Sequence, residues 1–434
     1  MQQAKRITGE VEISKDIIAE VQKKVNNISA FKEIFESSLN KNTTEVLGIV
    51  LIGAINLNAS DIHIEPEENK VQFRIRIDGI LQDVLEIDHK IFKTLSSRIK
   101  LLSKLKLNVN DRPQDGRFSI VINEDEIEIR TSVLPAEYGE SIVLRILNPK
   151  SLISLEALGL RKDLSAIFNK EIEKPNGMII VTGPTGSGKT TTLYAFLKKI
   201  HKPEIKIITL EDPIEYHLEG ISQTQVDIKK GYDFAEGLRS IMRQDPDVIL
   251  VGEIRDLKTA STALQAALTG HLVFTTLHAN DAAGTIARLQ ALGEKAVNIS
   301  PAINIVIAQR LVRRVCKKCV VMEKPSKEES ELIKDALKDV PKEFYPELNN
   351  IKIAKAKGCK DCNKTGYSGR ISIFEVLQVD DEIEQFISIS MSSSVVALRD
   401  LAIKKGMIPI RQDGFIKVVE GITTIEEIER VTEE

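Results

Sequence analysis

The stretch "GPTGSGKT", Gly183 to Thr190, fits G-x-x-x-x-G-K-[ST] at every position. Its surroundings narrow the fold further. The apolar run "GMIIVTG" leads into it, and "TTTLYAFLKKI", with helical spacing, leads out. A strand, a glycine-rich turn and a helix in that order belong to a sheet covered by helices. Such a turn wraps phosphates with backbone N–H groups, and the helix N-terminus adds a favourable field. Gly183, Pro184, Thr185, Gly186, Ser187, Gly188, Lys189, Thr190 and Thr191 are therefore candidate nucleotide contacts. Lys189 would reach the β- and γ-phosphates of ATP, and the Thr190 hydroxyl would ligate Mg²⁺. A glycine-rich turn with a chance lysine is the competing reading.

Three further apolar runs, "IKIITLED", "DVILVGE" and "HLVFTTLH", are separated by helical stretches, the rhythm of a parallel sheet buried on both faces. Each ends in polar residues suited to phosphate chemistry. Gly252 stands where P-loop enzymes commonly place an aspartate on the Mg²⁺ side, and Glu253 follows it. Glu253 can serve the metal, by way of a water, or polarise the attacking water. "LEDPIEY" brings Glu211, Asp212 and Glu215 to a second strand end, with Pro213 turning the chain. Metal binding and water activation can be divided between these two ends. His271 and His278 flank the last strand; seven residues apart, they lie ~23 Å from each other and cannot share one ion. His278, at the C-terminal end, can meet the γ-phosphate, whereas a structural hydrogen bond suits His271 as well.

The chain's 434 residues exceed one core, so two or three domains are expected. Residues 1–42 are polar and Lys/Glu-rich and read as a solvated arm or a docking-domain remnant. Residues 43–148 alternate like strands around a helix near Ile91–Leu105 and form an α+β domain. A linker (149–160), the P-loop domain (161–314), a cysteine-bearing subdomain (315–370) and a helical tail (371–434) follow. Cys316-X-X-Cys319 and Cys359-X-X-Cys362 have the pattern of a tetrahedral structural Zn²⁺ site across a 39-residue insert. A redox pair is the alternative, but neither motif sits at the strand-to-helix junction that a thioredoxin-like unit requires. Net charge of -3 argues against a broad nucleic-acid-binding face. No run approaches a membrane span. "MQQAKRITGEVEISKD" lacks a signal peptide's apolar core, so the chain is expected in the cytoplasm.

"GPTGSGKTTTLY", "LEDPIEY", "RSIMRQDPDVILVGEIRD" and "TGHLVFTTLHAND" resemble, in order and spacing, the signature boxes of the bacterial type II secretion and type IV pilus ATPases. The likeness continues upstream through "ASDIHIEP", "RIDGIL", "RPQDGR" and "SVLPAEYGESIVLRIL", and covers roughly Val46 to Thr432. It implies an α/β fold: a RecA-like P-loop ATPase core, an N-terminal α+β PAS-like domain and a zinc-binding C-terminal subdomain. It also implies a homohexamer in which the first domain of one subunit packs on the core of the next. ATP hydrolysis in such a ring turns an inner-membrane platform protein, so this chain would sit at that membrane peripherally, with an associated docking protein. By resemblance Glu215 orients the water, Glu253 serves Mg²⁺ and His278 senses phosphate. Arg130, Arg145, Arg239 and Arg243 would gather at the nucleotide and the subunit interface.

The tetracysteine pattern resembles the assembly and secretion branch; retraction motors generally lack it. Assembly motors carry a larger N-terminal docking domain than the 42 residues before this PAS-like domain, which implies a shortened N-terminus or another mode of docking. A pilus retraction motor and a RecA-like nucleic-acid translocase remain the alternatives. The near-neutral charge and the lack of an aromatic-interleaved basic stretch disfavour the latter.

Overall fold

The computed structural model describes residues 9–11, 13–123, 125–348, 351–390 and 394–433. The chain divides into two compact units. One holds Met1–Ser151 with Cys316–Cys319 and Lys357–Ser368; the other holds Leu152–Val315, Val320–Ala356 and Gly369–Glu434. The stretch read as one cysteine-bearing subdomain, 315–370, is thus shared between them.

The first unit is built on seven strands: β1 (Gly9–Val11), β2 (Asp61–Pro66), β3 (Val71–Ile77), β4 (Ile80–Ile87), β5 (Gln114–Ile122), β6 (Asp125–Ala136) and β7 (Gly139–Leu147). They run in the order β1-β5-β6-β7-β2-β3-β4, antiparallel except where β1 lies parallel to β5. Alternate residues of β3 and β6 are buried, so one sheet face carries the core and the other stays polar. Helices α1 (Lys15–Lys24), α2 (Ile28–Ser38), α3 (Thr43–Asn56) and α4 (His89–Leu102) begin at Ser14, Asn27, Asn42 and Asp88, each of which accepts a backbone N–H of the first turn. α3 is apolar nearly all round and is buried from Val46 to Ala54.

The segment before residue 43 differs from the solvated arm its composition suggests. Its first eight residues lie outside the described ones, but α1 and α2 are amphipathic and put Val21, Val25, Phe31 and Phe35 into the unit's core. Phe35 meets Phe73 of β3 edge-on at 4.9 Å. Few apolar residues at helical spacing suffice to bury one face, although the overall composition is polar.

The second unit follows the expected pattern. Strands β8 (Gly177–Thr182), β9 (Ile207–Glu211), β10 (Ser222–Gln225), β11 (Val248–Val251), β12 (Leu272–Leu277), β13 (Ile303–Val315) and, after the pair β14 (Val320–Glu323) and β15 (Ile353–Ala356), β16 (Tyr367–Gln378) complete the set. The main sheet runs β10-β9-β11-β12-β8-β13-β16, with parallel pairing from β10 through β13. Ile179 and Val181 face one apolar cluster while Met178 and Ile180 face the other, so the sheet is covered on both sides. Helices α5 (Lys162–Ile172), α6 (Lys189–Ile200), α7 (Phe234–Met242), α8 (Leu257–Leu268) and α9 (Ala282–Ala291) are among its cover. Helices Asp381–Ser390, Val395–Lys404, Ile410–Val419 and Ile425–Thr432 close the chain. No helix among the described residues is long and apolar enough to cross a membrane.

Candidate active site

Parallel strands bring their C-terminal ends to one edge of a sheet, where ligands of such folds bind. The phosphate turn leaves β8 there. Gly183 and Gly188 have φ of 145° and 90°, which L side chains rarely adopt, and a Cβ on Gly183 would lie 2.5 Å from the Gln309 carbonyl oxygen. Lys189 Nζ donates to the carbonyl oxygens of Gly183 (2.8 Å) and Pro184 (3.0 Å). Burial pulls its pKa down to about 8, against the opposing charge of Glu253. Ser187 Oγ is buried and has no hydrogen-bond partner among the described residues. An unsatisfied hydroxyl and an ammonium resting on its own turn fit a polyanion that is to be cradled there.

Glu253 follows β11 and Gly252. A Cβ on Gly252 would come within 3.3 Å of the Leu210 carbonyl oxygen and 3.4 Å of Glu211 Cα. A side chain there would lie close against the end of β9, and the carboxylate stands one residue later. Glu253 pairs with Arg255 and approaches His278 Nε2 at 3.6 Å. The structure therefore brings Lys189, Glu253 and His278 into one electrostatic neighbourhood. Thr190 opens α6 beside Lys189. His271 makes the structural bond considered for it: its Nδ1 lies 3.1 Å from the Ala266 carbonyl oxygen.

At the end of β9, Glu211 is 4% exposed, and burial raises its pKa. It accepts hydrogen bonds from Tyr194, Thr209 and Gln223. Glu215 lies four residues on, close enough for its charge to act on Glu211. The two acids thus have different surroundings: one is enclosed in hydrogen bonds and the other sits in the turn that follows.

Sequence reasoning missed Gln309 and Arg310, neighbours on β13. Gln309 accepts from Thr192 of α6 at 2.8 Å and donates to Ser372 at 3.1 Å. Arg310, 8% exposed, donates to the Asn280 carbonyl oxygen at 3.1 Å, two residues beyond His278. Only a polar pair inside the apolar run "INIVIAQRLV" hinted at them.

The four sequence-predicted arginines fall in two places. Arg239 and Arg243, on α7 and its C-cap, are exposed and bond to Glu236, the Arg239 carbonyl oxygen and Ser240 of that helical segment. Arg130 and Arg145 belong to the first unit, where they are cross-strand partners in a longer row. Arg117, Arg130, Arg145, Asp61 and Arg76 face one another in register across five strands. Asp61 and Glu128 supply carboxylates to this row. Like charges opposite one another in a sheet are unfavourable, and the Glu128 and Asp61 carboxylates offset that repulsion here.

The cysteine sulfurs all lie within 4.8 Å of one another. Cys359–Cys362, Cys319–Cys362 and Cys316–Cys359 are 3.7, 3.8 and 4.0 Å apart. Four sulfurs bound tetrahedrally to one zinc at ~2.3 Å stand ~3.8 Å apart, so the donor set fits. Burial disfavours the Cys362 thiolate, yet the N–H groups of Cys359 (3.1 Å) and Gly366 (3.3 Å), with the neighbouring Cys359 and Cys319 thiols, outweigh it and lower that pKa, while burial pushes the Cys319 thiol up to about 12. A thiolate held by two amides is the ligand form.

Residues 39–430 match the type II/IV secretion system protein family. The chain belongs to this family. It is 42% identical over 404 residues to the type II secretion system ATPase E of Vibrio cholerae, covering 93% of this chain and 78% of the relative. It is 41% identical over 426 residues to the type IV pilus assembly ATPase PilB of Thermus thermophilus, covering 98% of this chain and 46% of that longer relative. The crystal structure of the pilus retraction motor PilT with bound ADP superposes with a TM-score of 0.57 at 26% identity, over 88% of this chain and 95% of that one. This secretion-family chain is accordingly an ATPase with a RecA-like core, and its use of ATP and Mg²⁺ follows from the family.

Proposed function

We propose that this ATPase works as a homohexameric ring that powers type IV pilus assembly or type II secretion by acting on an inner-membrane platform protein, with a cytoplasmic docking protein beside it. The observation that carries this reading is the convergence of the phosphate turn, Glu253 and His278 on one sheet edge, within a family of secretion and pilus ATPases. In this reading Lys189 binds the β- and γ-phosphates, and Thr190 and Glu253 hold Mg²⁺, which neutralises charge on the transferred group. Glu215 orients the attacking water and His278 registers the γ-phosphate. Arg130, Arg145, Arg239 and Arg243 approach the nucleotide as subunits close on one another. Cys316, Cys319, Cys359 and Cys362 hold a structural zinc.

The ring would stand in the cytoplasm, attached to the membrane through its partners. The two compact units, one carrying residues 43–148 with the helices before them and the other carrying 161–314, would be the moving bodies. Two features favour assembly over retraction: the relatives of about 40% identity include secretion and pilus-assembly ATPases, and the tetracysteine set is present. Lys189→Ala should abolish hydrolysis and weaken ATP binding, whereas Glu215→Gln should retain binding and stop turnover. Phosphate release by Glu215→Gln at the wild-type rate would refute the water-orienting role. Stimulation by a cytoplasmic fragment of a platform protein, but not by single-stranded DNA, separates a secretion motor from a translocase.

A further inference from the structure

Tyr194 lies in α6, the helix opened by the phosphate turn, and is 1% exposed. Its neighbours Leu193, Phe196 and Leu197 pack in the apolar cluster, where a phenylalanine would fill the same space. A phenol there must satisfy its hydroxyl or lose stability. The hydroxyl donates to the Glu211 carboxylate. The Tyr194 and Tyr216 rings meet edge-on at 6.2 Å.

Gln223 of β10 holds the same turn through other bonds. Its Nε2 donates to the Tyr216 carbonyl oxygen (3.0 Å) and to Glu211 (3.3 Å), while its Oε1 accepts the Leu218 N–H at 2.7 Å. Thr209 donates to Glu211 at 2.6 Å. The turn that carries Glu215 is thus held from the phosphate-binding helix, through Glu211 and the Tyr216 ring, on one side and from β10 on the other.

We propose that Tyr194, acting through Glu211 and the Tyr216 ring that follows Glu215, is a positioning residue that sets the Glu215 carboxylate for catalysis and ties its placement to the phosphate turn. Tyr194 does not touch the reacting atoms. The inference rests on Glu215 being the water-orienting acid. A rigid connection between the phosphate-binding helix and that acid lets the register of one fix the register of the other. Misplacement by ~1 Å can cost ~10²-fold in rate, so a single hydroxyl suffices to matter.

Tyr194→Phe keeps the ring and the buried volume and removes only the oxygen. Turnover should fall about tenfold or more, with KM and the affinity for a non-hydrolysable ATP analogue within about twofold of wild type. Gln223→Leu should show the same split, since it releases the same turn without touching α6. In a Glu215→Asp background Tyr194→Phe should add little further loss, because both changes act through one group. Wild-type kcat in Tyr194→Phe would overturn the proposal. So would a parallel fall of kcat and affinity, or a full multiplicative loss in the Glu215→Asp background. Glu215→Gln, measured alongside, separates the two readings. If it turns over normally, the role given to Glu215 is wrong, whatever Tyr194 does.

Discussion

The tetracysteine cluster allows a worked prediction, in which Cys362 is replaced by serine. Structural zinc in small domains is worth ~10–16 kcal/mol, so one ligand of four carries roughly 2.5–4 kcal/mol, or about 10² to 10³ in affinity. Cys362 should lie toward the upper part of that range, because its sulfur also accepts the N–H groups of Cys359 and Gly366. The loss should spread along a defined path. Asn363, with φ of 51°, accepts the Ile28 N–H at the first turn of α2, and Gly366 accepts the Cys316 N–H at 2.8 Å. Zinc content measured on protein prepared without chelator should be about one per chain, and competition with a chromophoric chelator should show the affinity loss in Cys362→Ser. Hydrogen exchange should quicken at Ile28, Cys316, Cys359 and Gly366 together. The second unit's sheet has its own apolar clusters and should still bind nucleotide. Wild-type protein without metal, or metal removal that leaves those amides equally protected, would refute the reasoning.

Arg130→Ala or Arg145→Ala should leave ATP binding nearly intact and lower kcat by at least about tenfold, and unchanged turnover counts against their role at the phosphates. Burial holds the Lys189 ammonium at about 8, so in the nucleotide-free protein it loses its proton as pH rises through that value. Bound phosphate should restore the charge, so analogue affinity should weaken between about pH 7 and pH 9.5, and equal affinities would exclude it. The same depressed pKa makes burial of the ammonium a cost below about 8 that is relieved toward its unfolded value near 10.5. Glu375, 3% exposed, accepts the N–H groups of Ala282 and Ile410 at the starts of α9 and helix Ile410–Val419. Orphaning both in Glu375→Ala should cost about 2–5 kcal/mol, readable by urea unfolding and refuted by a change below about 1 kcal/mol.

What the sequence disclosed followed from spacing. "GPTGSGKT" marked the turn between β8 and α6, and the apolar runs ending at Glu211, Glu253 and His278 marked the strand ends that share its sheet edge. The cysteine pairs were legible for the same reason, since two short spacings bound the geometry even with 39 residues between them. The helices before residue 43 were less legible. Their average polarity concealed one buried stripe, anchored by Phe31 and Phe35. The arginine row was half visible: Arg117 and Arg76 stand in the family-like stretches "RPQDGR" and "RIDGIL", but only strand register, which sequence spacing alone does not reveal, sets them in one row with Arg130 and Arg145.

The residues that fasten the site were the least visible, and they share a physical character. Tyr194, Gln309, Arg310 and Glu375 each stand in an otherwise apolar run, and each finds its partners across the chain: Glu211, Thr192, Asn280, and Ala282 with Ile410. A polar group in such a place is unfavourable unless it is bonded, so its presence already states that a partner exists. It does not state which. Strand-end chemistry can be read from one segment because the sheet puts every strand end at the same edge, while a fastening residue can be read only after two segments have met. Arg310 shows the consequence. Its bond to Asn280 places a strand that contains no sequence-predicted catalytic residue in charge of the backbone two positions past His278.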